Sequence, residues 1–307
     1  MDVERRKKSI ATLSVISNSL LVVGKLFVGL LIGSVSVLSE AIHSGVDLIA
    51  ALIAYFAVSH SGKPSDDKHP FGHGKLENLS GAIEALLIFV AAIMIIWEAV
   101  ERLIHPQPLD QVGWGIGVML ISSLVNLYVS RKLFKVGTET HSMALIADAW
   151  HLKTDVWTAA GVMVGLALIW AGEEVFTGVH FHWVDPVAAI VVALMIFHAA
   201  YKLTVESVKD LMDVRLTDDE VNTVREVIEE HRREWCEYHD LRTRKSGAIR
   251  FVEFHLLVSP DLSVKCSHDL TDLISERIVA RLPDADITIH VEPCERPSGH
   301  GAHFDHA

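Results

Sequence analysis

The sequence predicts an α-helical membrane protein with six transmembrane helices followed by a C-terminal α+β domain on the cytoplasmic side. Three observations carry this. Half of the 307 residues are hydrophobic and the mean hydropathy is +0.33, too apolar for an ordinary soluble chain of this length. The apolar residues are concentrated in the first two-thirds, where they form long runs. The last third alternates charged and apolar residues as a water-soluble unit does.

A helix crossing the hydrocarbon core needs ~20 mostly apolar residues. Stretches of this kind fall at 10–32, 36–60, 79–104, 112–133, 141–171 and 183–207. Lysine and arginine flank them unevenly. Arg5, Arg6, Lys7 and Lys8 precede the first. Lys63, Lys68 and Lys75 lie between the second and third, and Arg131, Lys132 and Lys135 around the end of the fourth. The alternate loops, at Gly33, 106–111 and 172–182, have neither residue type, and Arg102 alone is near that side. The positive-inside bias therefore places both termini in the cytoplasm, and an even number of spans agrees. The apolar stretch after the N-terminal charges is too long for a signal-peptide core.

Beyond about residue 212 the pattern changes. Segment 217–234 reads as a charged amphipathic helix. Segment 250–258 alternates as a strand with Phe251, Glu253 and His255 on one face. Segment 264–282 has helical spacing of Leu270, Leu273, Ile274 and Ile278, and 287–291 is a short strand. With a further strand before 250 the order is helix, strand, strand, helix, strand, a small open sandwich. The domains expected are 1–212 in the membrane, 213–296 as the cytoplasmic domain, and 297–307 as a His-rich tail.

A formal net charge of −12 and the lack of a basic stripe exclude nucleic acid as a partner. Cys236, Cys266 and Cys294 form no C-x-x-C pair. They imply no disulfide framework, consistent with a reducing compartment.

The chemistry is carried by an internal repeat. The second span reads Glu40-Ala41-Ile42-His43-Ser44-Gly45-Val46-Asp47, and the fifth reads Asp148-Ala149-Trp150-His151-Leu152-Lys153-Thr154-Asp155. Each is carboxylate-Ala-x-His-x-x-x-Asp, with histidine and aspartate at i and i+4 on one helix face. Ionisable groups inside a bilayer are expensive and mark functional sites. A dication resolves the expense here. His43, Asp47, His151 and Asp155 offer two imidazole nitrogens and two carboxylates, a four-ligand set that suits zinc, and also cobalt, iron or cadmium, better than magnesium or calcium. Glu40 and Asp148 could hold the histidine tautomers from behind the ligands. A structural polar network between helices is the alternative reading of any one such pair. Asn18 and Asn126 could donate hydrogen bonds near the site, and Lys25 either snorkels or faces the bundle interior. Gly161 and Gly165 form G-x-x-x-G on the fifth span, and Gly113, Gly115 and Gly117 open the fourth, as closely packed membrane helices do.

With these motifs, and with Asp66-Asp67-Lys68-His69-Pro70-Phe71-Gly72-His73-Gly74-Lys75-Leu76-Glu77 between the second and third spans, the chain resembles the cation diffusion facilitator family over nearly its whole length. Its nearest likeness is to the bacterial zinc and ferrous-iron efflux branch, whose setting is the bacterial inner membrane. His43 departs from that branch, which carries aspartate there. The His/Asp pair in both spans looks like the zinc-selective members.

The resemblance implies a homodimer that exports a divalent transition metal from the cytosol by alternating access, in exchange for protons, with zinc favoured and iron, cobalt or cadmium as alternatives, and that is not an enzyme. It further implies a loop metal site at Asp66, His69 and His73. A cytoplasmic-domain site maps to His239, His255, His268, His290 and Glu292, where zinc acts as regulator. The family has aspartate at the position of Glu292. Lys75 and Asp213 match a pair that in the family couples tail to membrane. Two other classes stay open: a membrane metal sensor or storage protein without transport, and a membrane metalloenzyme. Against the enzyme, the chain has no H-E-x-x-H and no nucleophile elbow. The His-rich end, with His300, His303 and His306, and the outer-loop His180 and His182 are weaker candidates for metal contact.

Overall fold

A computed structural model describes residues 3–33, 35–105, 112–175 and 183–294. The chain divides into two compact units, Met1–Leu211 and Met212–Ala307. His180, His182 and the His-rich end at 297–307, weaker candidates for metal contact, lie outside the described residues.

The first unit is helical: α1 Val3–Ile32, α2 Val35–Ser61, α3 Lys75–Ile104, α4 Val112–Glu139, α5 Met143–Val175 and α6 Val184–Leu211. Long apolar runs without internal proline favour uninterrupted helices, and the breaks come where the sequence supplies turn residues. Gly33 ends α1 at φ 64°, and Gly72 turns the loop before α3 at φ 78°, a region open to glycine without steric penalty. His141 takes up φ 51° between α4 and α5, where Ser142 N–H closes the helix end on Gly137 O at 2.9 Å. Several helices run past the expected ends. α1 begins at Val3, α3 at Lys75, and α4 continues to Glu139, because hydropathy marks the lipid-facing stretch while hydrogen bonding carries the helix beyond it.

Among the described residues, four helical stretches are long and apolar enough to cross a bilayer: Val3–Leu31, Glu40–Ser61, Lys75–Ile104 and Pro186–Leu211. Leu20, Ile42, Met94, Trp97 and Leu194 lie exposed on the outside of the bundle. Such a surface suits acyl chains rather than water, and this unit is integral to a membrane.

Inside, two apolar clusters share α5. Leu145 and Leu152 pack with Ala57, Val58, Val129 and Leu133 of α2 and α4. Ala147 and Trp150, on another face of α5, pack with Ile88, Ile196 and Leu203 of α3 and α6. Small residues set the closest approaches. A Cβ at Gly161 would lie 2.6 Å from Val192 Cγ2, and one at Gly81 would lie 2.7 Å from Ser207 Oγ. Of the expected G-x-x-x-G, Gly161 is thus where α5 meets α6. The side-chain surroundings of Gly165 and of 113–116 are outside the described residues.

The second unit runs α7 Asp218–Glu230, β1 Glu237–Ser246, β2 Ile249–Val258, α8 Val264–Arg281 and β3 Ala285–Pro293. The sheet order is β1-β2-β3. β1 and β2 form an antiparallel hairpin, and β3 joins β2 in parallel after the α8 crossover. Thr217 caps α7 through a reciprocal capping box with Glu220, which satisfies two amide donors at the helix start. Val252, Phe254, Leu256 and Val258 of β2 form the core with Val224, Val227 and Ile228 of α7 and with Ile274 and Ile278 of α8. Period-two alternation then puts Glu253 and His255 on the face of the sheet opposite the helices.

One expectation is corrected here. Cys236 and Cys294 are joined by a disulfide, with Cα atoms 6.4 Å apart, and Cys266 is free and exposed. The backbone explains the pairing. Cys236 N–H donates to Leu257 O at 2.7 Å and Cys294 N–H to Val258 O at 2.8 Å. Adjacent carbonyls at the end of β2 thereby bring together two cysteines separated by 58 residues, which spacing along the chain does not reveal.

Candidate metal centres

α2 and α5 bring their histidines and aspartates into one connected group, with Asp47 and His151 turned inward. His151 Nε2 is 3.1 Å from Asp47 Oδ1. His43 Nε2 is 4.0 Å from Asp47 Oδ1 and 3.9 Å from Asp155 Oδ1. Asp47 and His151 are buried, Asp155 is partly covered, and His43 forms the open side with its side chain 54% exposed. Asn126 of α4 donates from Nδ2 to Asp155 Oδ2 at 3.4 Å. Beside the group is a cavity of ≈ 70 Å³, lined by His43, Asp47 and Asp155 together with Lys25, Glu40 and Ser44 among others. His43, Asp47 and Asp155 bring ligand atoms within 4.8 Å of one another beside this void, and His151 joins them through Asp47; imidazole nitrogens and carboxylate oxygens so placed could hold a transition dication.

The roles expected of Glu40 and Asp148 are corrected. Glu40 Oε2 lies 3.1 Å from Lys25 Nζ. Asp148 is fully buried with neither oxygen hydrogen-bonded, and His151 Nδ1 is likewise buried without a partner. Neither carboxylate therefore fixes a histidine tautomer. Lys25 faces the bundle interior, and Asn18 is buried with no side-chain hydrogen bond.

The loop before α3 forms a second group. Asp66 Oδ1 accepts from the backbone N–H of His69 at 2.7 Å and of Lys68 at 2.9 Å. It lies 3.2 Å from His69 Nδ1, while Asp66 Oδ2 lies 3.3 Å from His73 Nε2. The His69 amide, with help from Lys68 and the His69 ring, holds the Asp66 carboxyl below the usual aspartate range. His73 Nδ1 is buried without a partner. Lys75 opens α3.

The third group is on the exposed face of the sheet. Strand register places His239 opposite His255 and His255 opposite His290, so three histidines stand in a row across β1, β2 and β3. Glu292 bridges them. Its Oε2 is 3.1 Å from His239 Nε2, and its Oε1 is 2.9 Å from His255 Nδ1 and 3.6 Å from His290 Nε2. Desolvation pushes the Glu292 carboxyl up, but hydrogen bonds from His239 and His255 outweigh it and hold the group below the ordinary glutamate value. Asp240 joins this cluster with His239 and His255. It was not foreseen, because it takes φ 53° at an irregularity in the β1 register, which breaks the alternation a sequence reading assumes. His268 is apart, on α8 with Nε2 3.5 Å from Asp272 Oδ2. Asp213 lies 3.7 Å from Arg244 Nη1.

Two further clusters in the membrane unit lay beyond sequence reading. Glu77, at 1% exposure, accepts from Lys7 Nζ at 3.1 Å and Ser61 Oγ at 2.7 Å, and also from Ser142 Oγ. Lys153 Nζ lies over Trp150 at 4.5 Å, Trp157 at 5.2 Å and Phe134 at 5.4 Å from the ring centroids, a cation–π arrangement.

Comparison with known proteins agrees with the class that fold and sites define. Residues 11–212 match the cation efflux transmembrane domain, and residues 216–294 match the cation efflux protein cytoplasmic domain. The chain belongs to the cation efflux, or cation diffusion facilitator, family, a family of membrane transporters. It is 38% identical over 265 residues to an uncharacterized transporter, sll1263, of Synechocystis, covering 86% of this chain and 83% of that one. It is 31% identical over 302 residues to the cation-efflux pump FieF of Salmonella typhimurium, covering 97% and 96%. Among solved structures, the zinc form of CzrB is 40% identical, covers 27% of this chain and 97% of that one, and has a TM-score of 0.26. The metal-bound C-terminal domain of the CzcD transporter from Thermotoga maritima is 32% identical, with coverage of 26% and 93% and a TM-score of 0.24.

Proposed function

We propose that this chain exports a divalent transition metal, zinc before iron, cobalt or cadmium, from the cytosol in exchange for protons. In this reading it works as a homodimer in the bacterial inner membrane, with six spans and both termini inside. The observation that carries the reading is the convergence of His43, Asp47, His151 and Asp155 from α2 and α5. Two neutral imidazoles and two carboxylates balance the charge of one dication and supply four donors, so the ion can shed its water at membrane depth.

The donors themselves support antiport. A proton and a metal use the same lone pair on an imidazole nitrogen or a carboxylate oxygen, so each displaces the other. Metal entering from the cytosol releases protons from these groups, and protons arriving from the opposite side release the metal. α5 packs against α2 and α4 on one face and α3 and α6 on another, so a shift of α5 changes which side reaches Asp155. The loop group at Asp66, His69 and His73 and the sheet group around Glu292 lie outside the membrane bundle, where they serve metal capture and sensing. FieF, 31% identical over 97% of this chain, is described as a cation-efflux pump, which supports efflux of a cation.

Purified protein in liposomes, with zinc followed by an entrapped dye, tests the proposal. Zinc flux should accelerate when a proton gradient opposes it, and Asp155→Ala should abolish it. Wild-type flux indifferent to the gradient refutes antiport. A wild type that binds zinc without flux makes the chain a sensor or store.

A further inference from the structure

The cavity beside the four ligands contains a cation of the protein's own. Lys25 of α1 is buried at 6% exposure, with Nζ 3.1 Å from Glu40 Oε2 and 2.9 Å from Ser44 Oγ. Both partners are on α2: Ser44 follows His43 and is about one turn before Asp47, and Glu40 is about two turns before it. Lys25, Glu40 and Ser44 line the same void as His43, Asp47 and Asp155. A buried ammonium placed beside a cation site lowers the affinity of that site unless something offsets it, and Glu40 supplies the offset. The two cancel, so the cavity, once its donors have released their protons, presents the charge of Asp47 and Asp155 alone, and one dication brings it to neutrality.

We infer that the Lys25–Glu40 pair sets the charge of the transport cavity at the value a divalent ion neutralises, and thereby tunes how tightly metal is held and how readily it leaves. This rests on the proposed transport role of the four ligands. Lys25 and Glu40 do not donate to the metal in this account. They are positioning residues acting through the field at Asp47 and Asp155, and Ser44 anchors the ammonium to the helix that carries two of the ligands.

The inference has a signature that a merely structural ion pair lacks. Lys25→Met leaves Glu40 uncompensated and the cavity more negative. Zinc should bind more tightly and leave more slowly, so KM falls and kcat falls with it. Glu40→Gln leaves Lys25 uncompensated, and KM should rise. One unit charge in the lining of the same cavity, farther from the ion than its ligands, moves affinity on the order of tenfold or more in each direction. The double variant Lys25→Met/Glu40→Gln restores the balance, and its KM should return toward wild type. Loss of a structural tie instead weakens both single variants in the same direction and the double at least as much.

The experiment measures zinc KM and kcat in proteoliposomes, together with equilibrium zinc binding to the same full-length proteins in detergent. For the binding arm, Asp66→Ala and His255→Ala silence the loop and sheet groups. Opposite-signed single variants with mutual rescue are expected. Shifts of the same sign, or no shift, in a wild type that transports zinc overturn the inference and leave the transport reading standing. Opposite-signed binding shifts in a wild type without flux support the inference as a property of the metal site and overturn the transport reading. If Lys25→Met fails to accumulate as folded protein, Glu40→Gln alone decides: a KM that does not rise overturns the inference.

Discussion

Replacing Asp47 by asparagine keeps the shape of the transport group and removes one of its two charges. Asp47 is 4% exposed, and its Oδ1 is shared between His151 Nε2 at 3.1 Å and His43 Nε2 at 4.0 Å. A metal held by these nitrogens lies closer than about 4 Å to the carboxylate, where a pair of unit charges at an effective dielectric of about 20 is worth about 4 kcal/mol. A dication doubles the attraction, and desolvation of ion and carboxylate removes a comparable amount. A net loss of about 4 kcal/mol, at about 1.4 kcal/mol per factor of ten, lowers zinc affinity roughly a thousandfold. Zinc-dependent flux in proteoliposomes reads this as a rise in KM. Asp66→Asn, in the water-exposed loop, should change KM by roughly tenfold at most, since exposed charges are screened. An Asp47→Asn protein whose KM stays within about threefold of wild type, or one less affected than Asp66→Asn, refutes the argument that the buried group holds the cargo.

Three further outcomes are expected. Glu292→Gln removes the bridge among His239, His255 and His290, and should weaken zinc binding at the sheet by about tenfold or more while leaving Asp47-dependent flux in place; calorimetry on the full chain checks it. Glu220 is held below the usual glutamate value: burial raises it, and Arg250 and Thr217 outweigh that. Its contribution to stability is therefore complete above about pH 4.5 and disappears as pH falls through the lowered folded value. Glu220→Gln keeps the capping box but removes the charge facing Arg250, and should cost the cytoplasmic unit about 1 kcal/mol at neutral pH and nothing well below pH 4, read by hydrogen exchange over α7. Cys236→Ser opens a bond that spans 58 residues and should lower stability by about 2–4 kcal/mol under oxidising conditions, with no effect in excess dithiothreitol; equal loss in both conditions contradicts it.

Much of the architecture could be read from hydropathy, because lipid and a sheet core impose simple periods on the chain. Segment 264–282 emerged as α8 Val264–Arg281, and the strand around 287–291 as β3 Ala285–Pro293. The His43/Asp47 and His151/Asp155 repeat was visible because ionisable residues stand out in apolar runs. What they connect to was not. Glu77 draws its partners from α1, α2 and Ser142 before α5, and Lys25 reaches Glu40 and Ser44 only after α1 and α2 pack. Such pairings depend on which helix faces meet, and no local pattern specifies that. Asp240 and the Cys236–Cys294 bond were hidden for a related reason. An irregular register and a crossover helix bring together residues whose positions along the chain are unrelated.

Anomalous diffraction at the zinc edge, from crystals of the full-length protein soaked at limiting zinc, tests the central claim most directly. The account predicts a peak among His43, Asp47, His151 and Asp155 with four protein donors at about 2.0–2.2 Å, lost in Asp155→Ala. Density confined to the loop and sheet groups, with the membrane cluster empty as zinc is raised, would contradict it.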